Sequence, residues 1–172
     1  MSVTGKERFF KEDEIIVSKT NLKGHLTYAN RVFIDISGFT EPELLGEPHS
    51  ILRHPDMPRC VFKLLWDTIK DKKEIFAYVI NRCKNGDHYW VLAHVTPSIS
   101  AAGEVDGYHS NRRVPDPKIV KSAIVPLYQA LLEEEKRHSN AKEGMNAGFD
   151  MLAGILKEKG LGYDEFIFSL KN

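Results

Sequence analysis

The sequence predicts an α+β fold: a five-stranded antiparallel sheet with short helices on one face, followed by C-terminal helices. Three observations predict it. Taken in order, the periodicities read as strand, strand, several short helices, one longer helix, then three strands, so a helical crossover joins a strand pair to a meander. In Asn81–Pro97, NRCKNGDHYWVLAHVTP, two strand-like runs flank Asn85-Gly86, a pair suited to the positive φ values of a two-residue hairpin turn. On the second run Tyr89, Val91, Ala93 and Val95 point one way, and Trp90, Leu92, His94 and Thr96 the other.

Each element has its own signal. Residues 1–13 are polar apart from Phe9 and Phe10 and read as an N-terminal cap, a short helix that lays both phenylalanines on the domain. Strands are expected at Glu14–Thr20 and His25–Ala29, with Asn21–Gly24 as the turn. Asn30 then caps a short helix that stops at Gly38. Thr40 and Glu43 form a capping box for the next helix, with Pro42 early in its first turn and Gly46 at its end. Ser50–Met57, which contains RHPDMP, is dense in charge and proline and should be loop; a helix over Pro58–Lys70 follows, with Val61, Phe62, Leu65 and Ile69 on one stripe. The remaining strands are Ile75–Arg82, Tyr89–Ile99 and Val105–Arg113. The main body is therefore 14–117 and a helical extension occupies 118–172. In the extension Asp116-Pro117 opens a helix that Pro126 kinks or restarts, a final helix spans Phe149–Lys159, and Tyr163–Leu170 is a short apolar tail.

Composition excludes several classes. Of the 172 residues 42% are hydrophobic, and 24 Lys+Arg balance 24 Asp+Glu, which gives no electrostatic footprint for nucleic acid. No apolar run approaches the ~20 residues of a membrane span and no signal peptide follows Met1, so the chain is expected to be cytoplasmic without direct membrane insertion. Cys60 and Cys83 are too few and too far apart for a disulfide framework or a zinc knuckle. The seven histidines are scattered outside HExxH spacing, and no nucleophile motif, phosphate loop or dinucleotide fingerprint is present, so neither a metal site nor an enzyme is expected. The RHPDMP loop is the densest polar cluster. Arg53, His54 and Asp56 are suited to holding an anionic or heteroaromatic ligand, although local sequence alone favours a helix start decorated by Asp56 and solvated charges.

GHLTYAN, SGFT, LLGEPHSILRHPDMP, LWDTIK, NRCKNGDHYWV and GYHSNRR, in that order, closely resemble the PAS domain of the Aer-type aerotaxis receptors, over about Asn21 to Leu132. The resemblance implies a PAS fold and noncovalently bound FAD, whose redox state is reported to a chemotaxis complex. It implies that Asn30, Arg53, His54 and Asp56 serve FAD binding and that Trp66, Asn81, Arg82, His88 and Trp90 line the pocket. Cys60 lies in MPRCVF, unlike the NCRFLQ-type sequence of photoactive LOV domains, and reads as a packed, inert thiol. Where the family has a Pro-Trp pair at the start of the third strand, this chain has Glu74-Ile75; Phe76 replaces that aromatic only if the strand register shifts. A receptor of this family continues into a membrane anchor and a coiled-coil region. Ending without them, the chain looks like a stand-alone PAS energy-taxis protein (CetB type).

The expected partner is a membrane-bound chemotaxis receptor or its signalling domain, reached at the inner face of the membrane. The stripe Val120, Ile124, Leu127, Leu131 and the segment Phe166–Phe168 either cover the sheet's open face or serve that receptor or a homodimer. Two alternatives stand beside the FAD reading: a haem-binding PAS gas sensor with a histidine axial ligand, and a ligand-free PAS adaptor.

Overall fold

A computed structural model describes residues 2–171. The chain divides into two units: the first holds the residues up to His54 together with Ile69–Pro115, the second Pro55–Thr68 together with the chain from Asp116 onward.

The first unit is built on β1 (Ile16–Thr20), β2 (Leu26–Ala29), β3 (Ile75–Arg82), β4 (His88–Ile99) and β5 (Val105–Arg113). They form one antiparallel sheet in the order β2-β1-β5-β4-β3, which puts β5 in the middle. Cross-strand partners share a face, so the register sorts every side chain. Ile75, Ala77, Val79 and Asn81 pair with Val95, Ala93, Val91 and Tyr89. Arg112 pairs with Ala93 and with Ile16. These residues make the inward face, and the expected alternation of β4 holds: Tyr89, Val91, Ala93 and Val95 are buried, their neighbours half-buried. Helices α1 (Arg31–Ser37) and α2 (Glu41–Leu44) contribute Phe33, Ile36 and Leu44 to the core. Asn30 caps α1 and Gly38 ends it; the Thr40–Glu43 box opens α2. A turn of 3-10 helix, His49–Leu52, takes the first part of the expected loop.

Two expectations in this unit are corrected. The N-terminal segment is extended, not helical. The Thr4 N–H donates to Gly86 O at 2.9 Å, His88 N–H to Lys6 O at 3.0 Å and Arg8 N–H to His88 O at 2.7 Å, so the segment supplies partners for the backbone beyond the end of the ladder. Phe10 is half-buried, but Phe9 stays 75% exposed. The β3–β4 hairpin also has a different turn. Gly86 has φ 93, while Asn85 keeps a negative φ, and the bonds Gly86 N–H to Cys83 O (3.0 Å) and Cys83 N–H to Asp87 O (2.7 Å) enclose Lys84–Gly86 as a longer loop with glycine in the left-handed position. Asn85 instead uses its side chain, accepting the Asp87 N–H at 3.0 Å. A Cβ on Gly86 would sit 2.4 Å from Ser2 O, so the N-terminal strip also requires glycine there.

The second unit is helical. It contains α3 (Arg59–Lys70) as far as Thr68, then α4 (Pro117–Ile119), α5 (Val125–Lys136), α6 (Ala141–Lys159) and α7 (Tyr163–Ser169). Asp116 caps α4 as expected, its carboxylate accepting the Lys118 N–H. Pro126 neither kinks nor restarts the helix by itself: a π-helical turn, Val120–Ile124, joins α4 to α5 just before it. That wide turn accommodates a residue that cannot donate to the preceding turn, and it also rotates the stripe. Ile124, Tyr128 and Leu131 are buried, while Leu127 is half-buried.

The segment expected to break before Phe149 is instead the first half of α6, capped by Asn140. Two of its internal glycines, Gly144 and Gly148, are explained by packing against α5 and the start of α3. A Cβ on Gly144 would meet Glu135 O at 2.3 Å, and one on Gly148 would meet Cys60 Sγ at 3.2 Å. The expected tail is α7, with Phe166 and Ile167 buried. The Glu135 carboxylate in turn accepts the Cys60 N–H at 2.8 Å and the Arg59 N–H at 3.2 Å, capping α3 from a different helix. Burial first, then Glu135, pushes the Cys60 thiol well above its ordinary range, which disfavours the reactive thiolate. Among the described residues no helix is long and apolar enough to cross a membrane.

The glycine contacts set opposite signs at two sites in α6. Alanine adds ~1 kcal/mol of helix propensity at either position, but at Gly144 it collides with backbone, and overpacking costs ~1–3 kcal/mol. Gly144→Ala should therefore lower stability in urea unfolding, while Gly154→Ala, with nothing within 4 Å, should raise it. Equal shifts of one sign would contradict the close α5–α6 approach.

Candidate functional site

The inward face of the first unit is mostly apolar, and two of its polar places, both on strands, stand out. On central β5, Arg112 is 2% exposed and fully enclosed. Its Nη2 donates to Ser18 Oγ, its Nη1 lies 3.5 Å from His49 Nε2, and its guanidinium carbon stands 4.7 Å from the Phe33 ring centre. Its Nε has no acceptor. No ion pair involves Arg112 among the described residues. Burial pulls its pKa down to about 10, which still leaves it charged at neutral pH. The second place is Asn81 on β3, 3% exposed, whose Nδ2 has no acceptor. Its cross-strand partner Tyr89 is fully buried, and burial holds the Tyr89 hydroxyl above its ordinary range, hence protonated. His49 is half-buried and stacks on Phe33 at 6.4 Å. Burial, then the charge of Arg112, depresses its pKa to about 3, so the ring is neutral near pH 7.

The residues expected from sequence fall in several places. Asn30 is committed to backbone: Oδ1 accepts the Val17 and Phe33 N–H groups at 3.0 and 3.1 Å, and Nδ2 donates to Ile15 O at 2.8 Å. Arg53 is exposed, and its backbone bridges to Asn81 at the edge of β3. His54 is buried, with its ring 5.4 Å from that of His88. Arg82 and His88 are cross-strand partners on the face opposite Asn81, and half-buried Trp90 shares that face. The structure thus gathers Arg53, His54, Asn81, Arg82 and His88 at one end of the β3–β4 ladder but divides them between the two faces. Asp56, exposed, and Trp66, half-buried, belong to the second unit. The register of β3 is unbroken, so Ile75 faces inward and Phe76 faces away, stacked on His94 at 4.2 Å. Phe76 does not replace the missing aromatic. Arg112, His49, Ser18 and Tyr89 were not anticipated. The signal was the parity of β5, which puts an arginine in line with inward Tyr108 and Ser110. Among the described residues no three His, Cys, Asp or Glu side chains are grouped to hold a metal.

His49 gives the unit a pH dependence whose sign is fixed. The unfolded chain takes up a proton near pH 6.5 and the folded one only near about 3, so the unfolded state binds more protons between these values. This contribution to stability is complete above pH 6.5 and is lost as pH falls toward 3. Thermal midpoints from pH 7.5 to 5 should drop more steeply for the wild type than for His49→Gln; parallel curves would mean that His49 titrates normally.

A model of the PAS fold matches residues 26–111, from β2 to β5. The chain is 42% identical over 130 residues to the Aerotaxis receptor of Escherichia coli (strain K12), covering 75% of this chain and 25% of that protein. It is 25% identical over 103 residues to the Nitrogen fixation regulatory protein of Klebsiella pneumoniae, covering 60% of this chain and 21% of that one. The chain thus spans a quarter or less of the length of these relatives. The dark-state structure of the blue-light photoreceptor Aureochrome1 LOV superposes with a TM-score of 0.57 over 67% of this chain and 85% of that one; at 20% identity the likeness is one of fold. The family match and the β2-β1-β5-β4-β3 sheet lead to one conclusion: this chain belongs to the PAS fold family.

Proposed function

We propose that this PAS domain binds FAD noncovalently and reports redox or oxygen status to a membrane-bound chemotaxis receptor, or its signalling domain, through protein contact and without catalysis. Similarity to the Aerotaxis receptor supports the reading. The observation that carries it is the row of buried polar groups that face inward, Arg112 Nε without an acceptor and the cross-strand pair Asn81 and Tyr89. An unsatisfied buried polar group costs ~1–3 kcal/mol, so such donors are expected where a ligand supplies the acceptor. A flavin ring fits them, because it carries carbonyl and ring-nitrogen acceptors along its edge and has apolar faces to lie against Val79, Val91 and Ala93.

Bound FAD supplies a group whose charge and hydrogen-bonding pattern change with oxidation state. The protein's part is to answer that change. Asn81 and Arg112 hold donors toward the ring, neutral His49 and Ser18 orient Arg112, and Asn30 fixes the corner between β1 and α1. The family resemblance also gives the flavin Arg53, His54, Asp56, Trp66, Arg82, His88 and Trp90, of which Arg82, His88 and Trp90 lie on the sheet face opposite Asn81. A bound ring whose hydrogen-bonding pattern changed would act on Asn81, whose strand is bridged to Arg53. That is a two-state shift biased by the ligand.

The absorption spectrum of the purified protein is the first test. Flavin bands near ~450 nm support the proposal; a Soret band near ~400 nm selects a haem sensor, and neither selects a ligand-free adaptor. His54→Ala and Arg53→Ala should each lower FAD retained on dialysis while leaving the circular dichroism unchanged. Full retention in both variants would remove the loop from the site.

A further inference from the structure

We infer that Glu135 is a positioning residue for the RHPDMP loop: through it the α5–α6 hairpin holds the start of α3 and, with it, the stretch Pro55–Pro58. This rests on the FAD reading for its ligand and adds to it an element, the helical hairpin, that controls how firmly the ligand is kept.

The start of α3 has little of its own to hold it. Its first turn has no acidic residue, and the preceding Pro58 has no side-chain acceptor for the first N–H groups. The acceptor is Glu135, whose Oε1 takes the Cys60 N–H at 2.8 Å and whose Oε2 takes the Arg59 N–H at 3.2 Å. Both bonds come from the last turn of α5, 75 and 76 positions away. A cap brought by another helix is present only while that helix is in place.

The carboxylate depends in turn on α6. A Cβ on Gly148 would stand 3.0 Å from Glu135 Cγ and 3.2 Å from Cys60 Sγ, so α3, α5 and α6 meet at one point with little room between them. A Cβ on Gly144, one turn earlier, would stand 2.3 Å from Glu135 O. After burial, the same carboxylate is the next influence that keeps Cys60 a thiol.

On the loop side the chain is stiff. Pro55 and Pro58 restrict the backbone on both sides of Asp56-Met57, and Met57 is 2% exposed. A displacement at Arg59 therefore has few torsions in which to be lost before it reaches Asp56. Linkage makes the effect mutual: a ligand that orders the loop tightens the hairpin contact by the factor by which the contact tightens the ligand.

The test uses the full chain and compares Glu135→Ala, Glu135→Gln and, as a control, Glu134→Ala, whose carboxylate accepts from Arg137 instead. Amide hydrogen exchange is followed at Asp56, Met57, Arg59 and Cys60, with Tyr89 and Val91 of β4 as the reference. Release of FAD on dilution is followed by flavin fluorescence. Glu135→Ala should speed exchange at the loop and α3 amides roughly tenfold, the size expected for losing hydrogen bonds to a charged acceptor, and speed FAD release several-fold. Glu135→Gln, which keeps one acceptor oxygen, should fall between, and Glu134→Ala should match the wild type. The β4 amides should not change. Faster exchange confined to Arg59 and Cys60 would make Glu135 an ordinary cap and overturn the inference. An equal rise in β4 would mean a global loss of stability and overturn it too. Should Glu135→Ala not fold, Gly148→Ala, which drives a methyl between Glu135 and Cys60, should give the same local pattern; unchanged exchange at Asp56 and Met57 would overturn it. A wild type that retains no FAD defeats the FAD reading, and the exchange rates then decide the hold on the loop by themselves. A wild type that retains FAD, with release unchanged in every variant, defeats this inference and leaves the FAD reading standing.

Discussion

A guanidinium buried on the middle strand is the constraint that the first unit is arranged around. The effective penalty for enclosing an ion remains several kcal/mol after relaxation. Here it is met piecemeal, by a hydroxyl from β1, a neutral imidazole from the 3-10 turn and an aromatic face from α1. Each comes from a different element, so each element must be held in place. Asn30 ties α1 to β1 through its bonds to Ile15, Val17 and Phe33. The His49 N–H donates to Gly24 O at 3.0 Å, and the Leu26 N–H to Glu47 O at 2.9 Å, which fixes the turn that carries His49. Cation–aromatic contact contributes ~0.5–2 kcal/mol according to desolvation. The site and the fold around it therefore share the same bonds.

Most of this fold was legible because period-2 alternation and capping are local. Ile75–Arg82 and Val105–Arg113 begin and end where the sequence places them, and Asn30, Thr40, Glu43 and Asp116 cap as their chemistry requires. The misreadings share one cause, a partner distant in sequence. The first turns of α6 look unhelical because Gly144 and Gly148 cost about 1 kcal/mol each, and only the neighbouring Glu135 and Cys60 reveal why glycine is needed. The Asn85-Gly86 turn looks like a two-residue hairpin until the N-terminal strip is laid against it. Pro126 announces an irregularity, but whether the helix breaks or widens depends on which residues the second unit buries. The site was legible in part. Motif matching finds Arg53, His54 and Asn81, whereas Arg112 becomes visible only when the parity of β5 is followed through the sheet.

The second unit has its own polar anchor, and it sits on the helix that follows the RHPDMP loop. Helix N-termini leave several N–H groups without intrahelical partners and favour a negative charge. In α3 that need is met by Glu135, a residue 75 positions downstream, which accepts the Cys60 N–H. The glycines of α6 allow that helix to pack close to the same glutamate. The start of α3 is thus fixed by α5, and the placement of α5 beside α6 fixes the glutamate. Cys60, sealed beneath them, is a packing residue.

These two anchors bracket one short stretch of chain. Arg53 is held at the edge of β3 by Asn81, and the first N–H groups of α3 are held by Glu135. Between them lies HPDMP, where two prolines remove backbone donors and restrict φ, so the stretch has little slack with which to absorb a displacement. Hydrogen bonds to a charged acceptor contribute ~1.5–3 kcal/mol each, comparable to the cost of leaving a buried donor unsatisfied. The Glu135 bonds to Arg59 and Cys60 therefore restrain the start of α3 about as strongly as such a donor is restrained when it is satisfied.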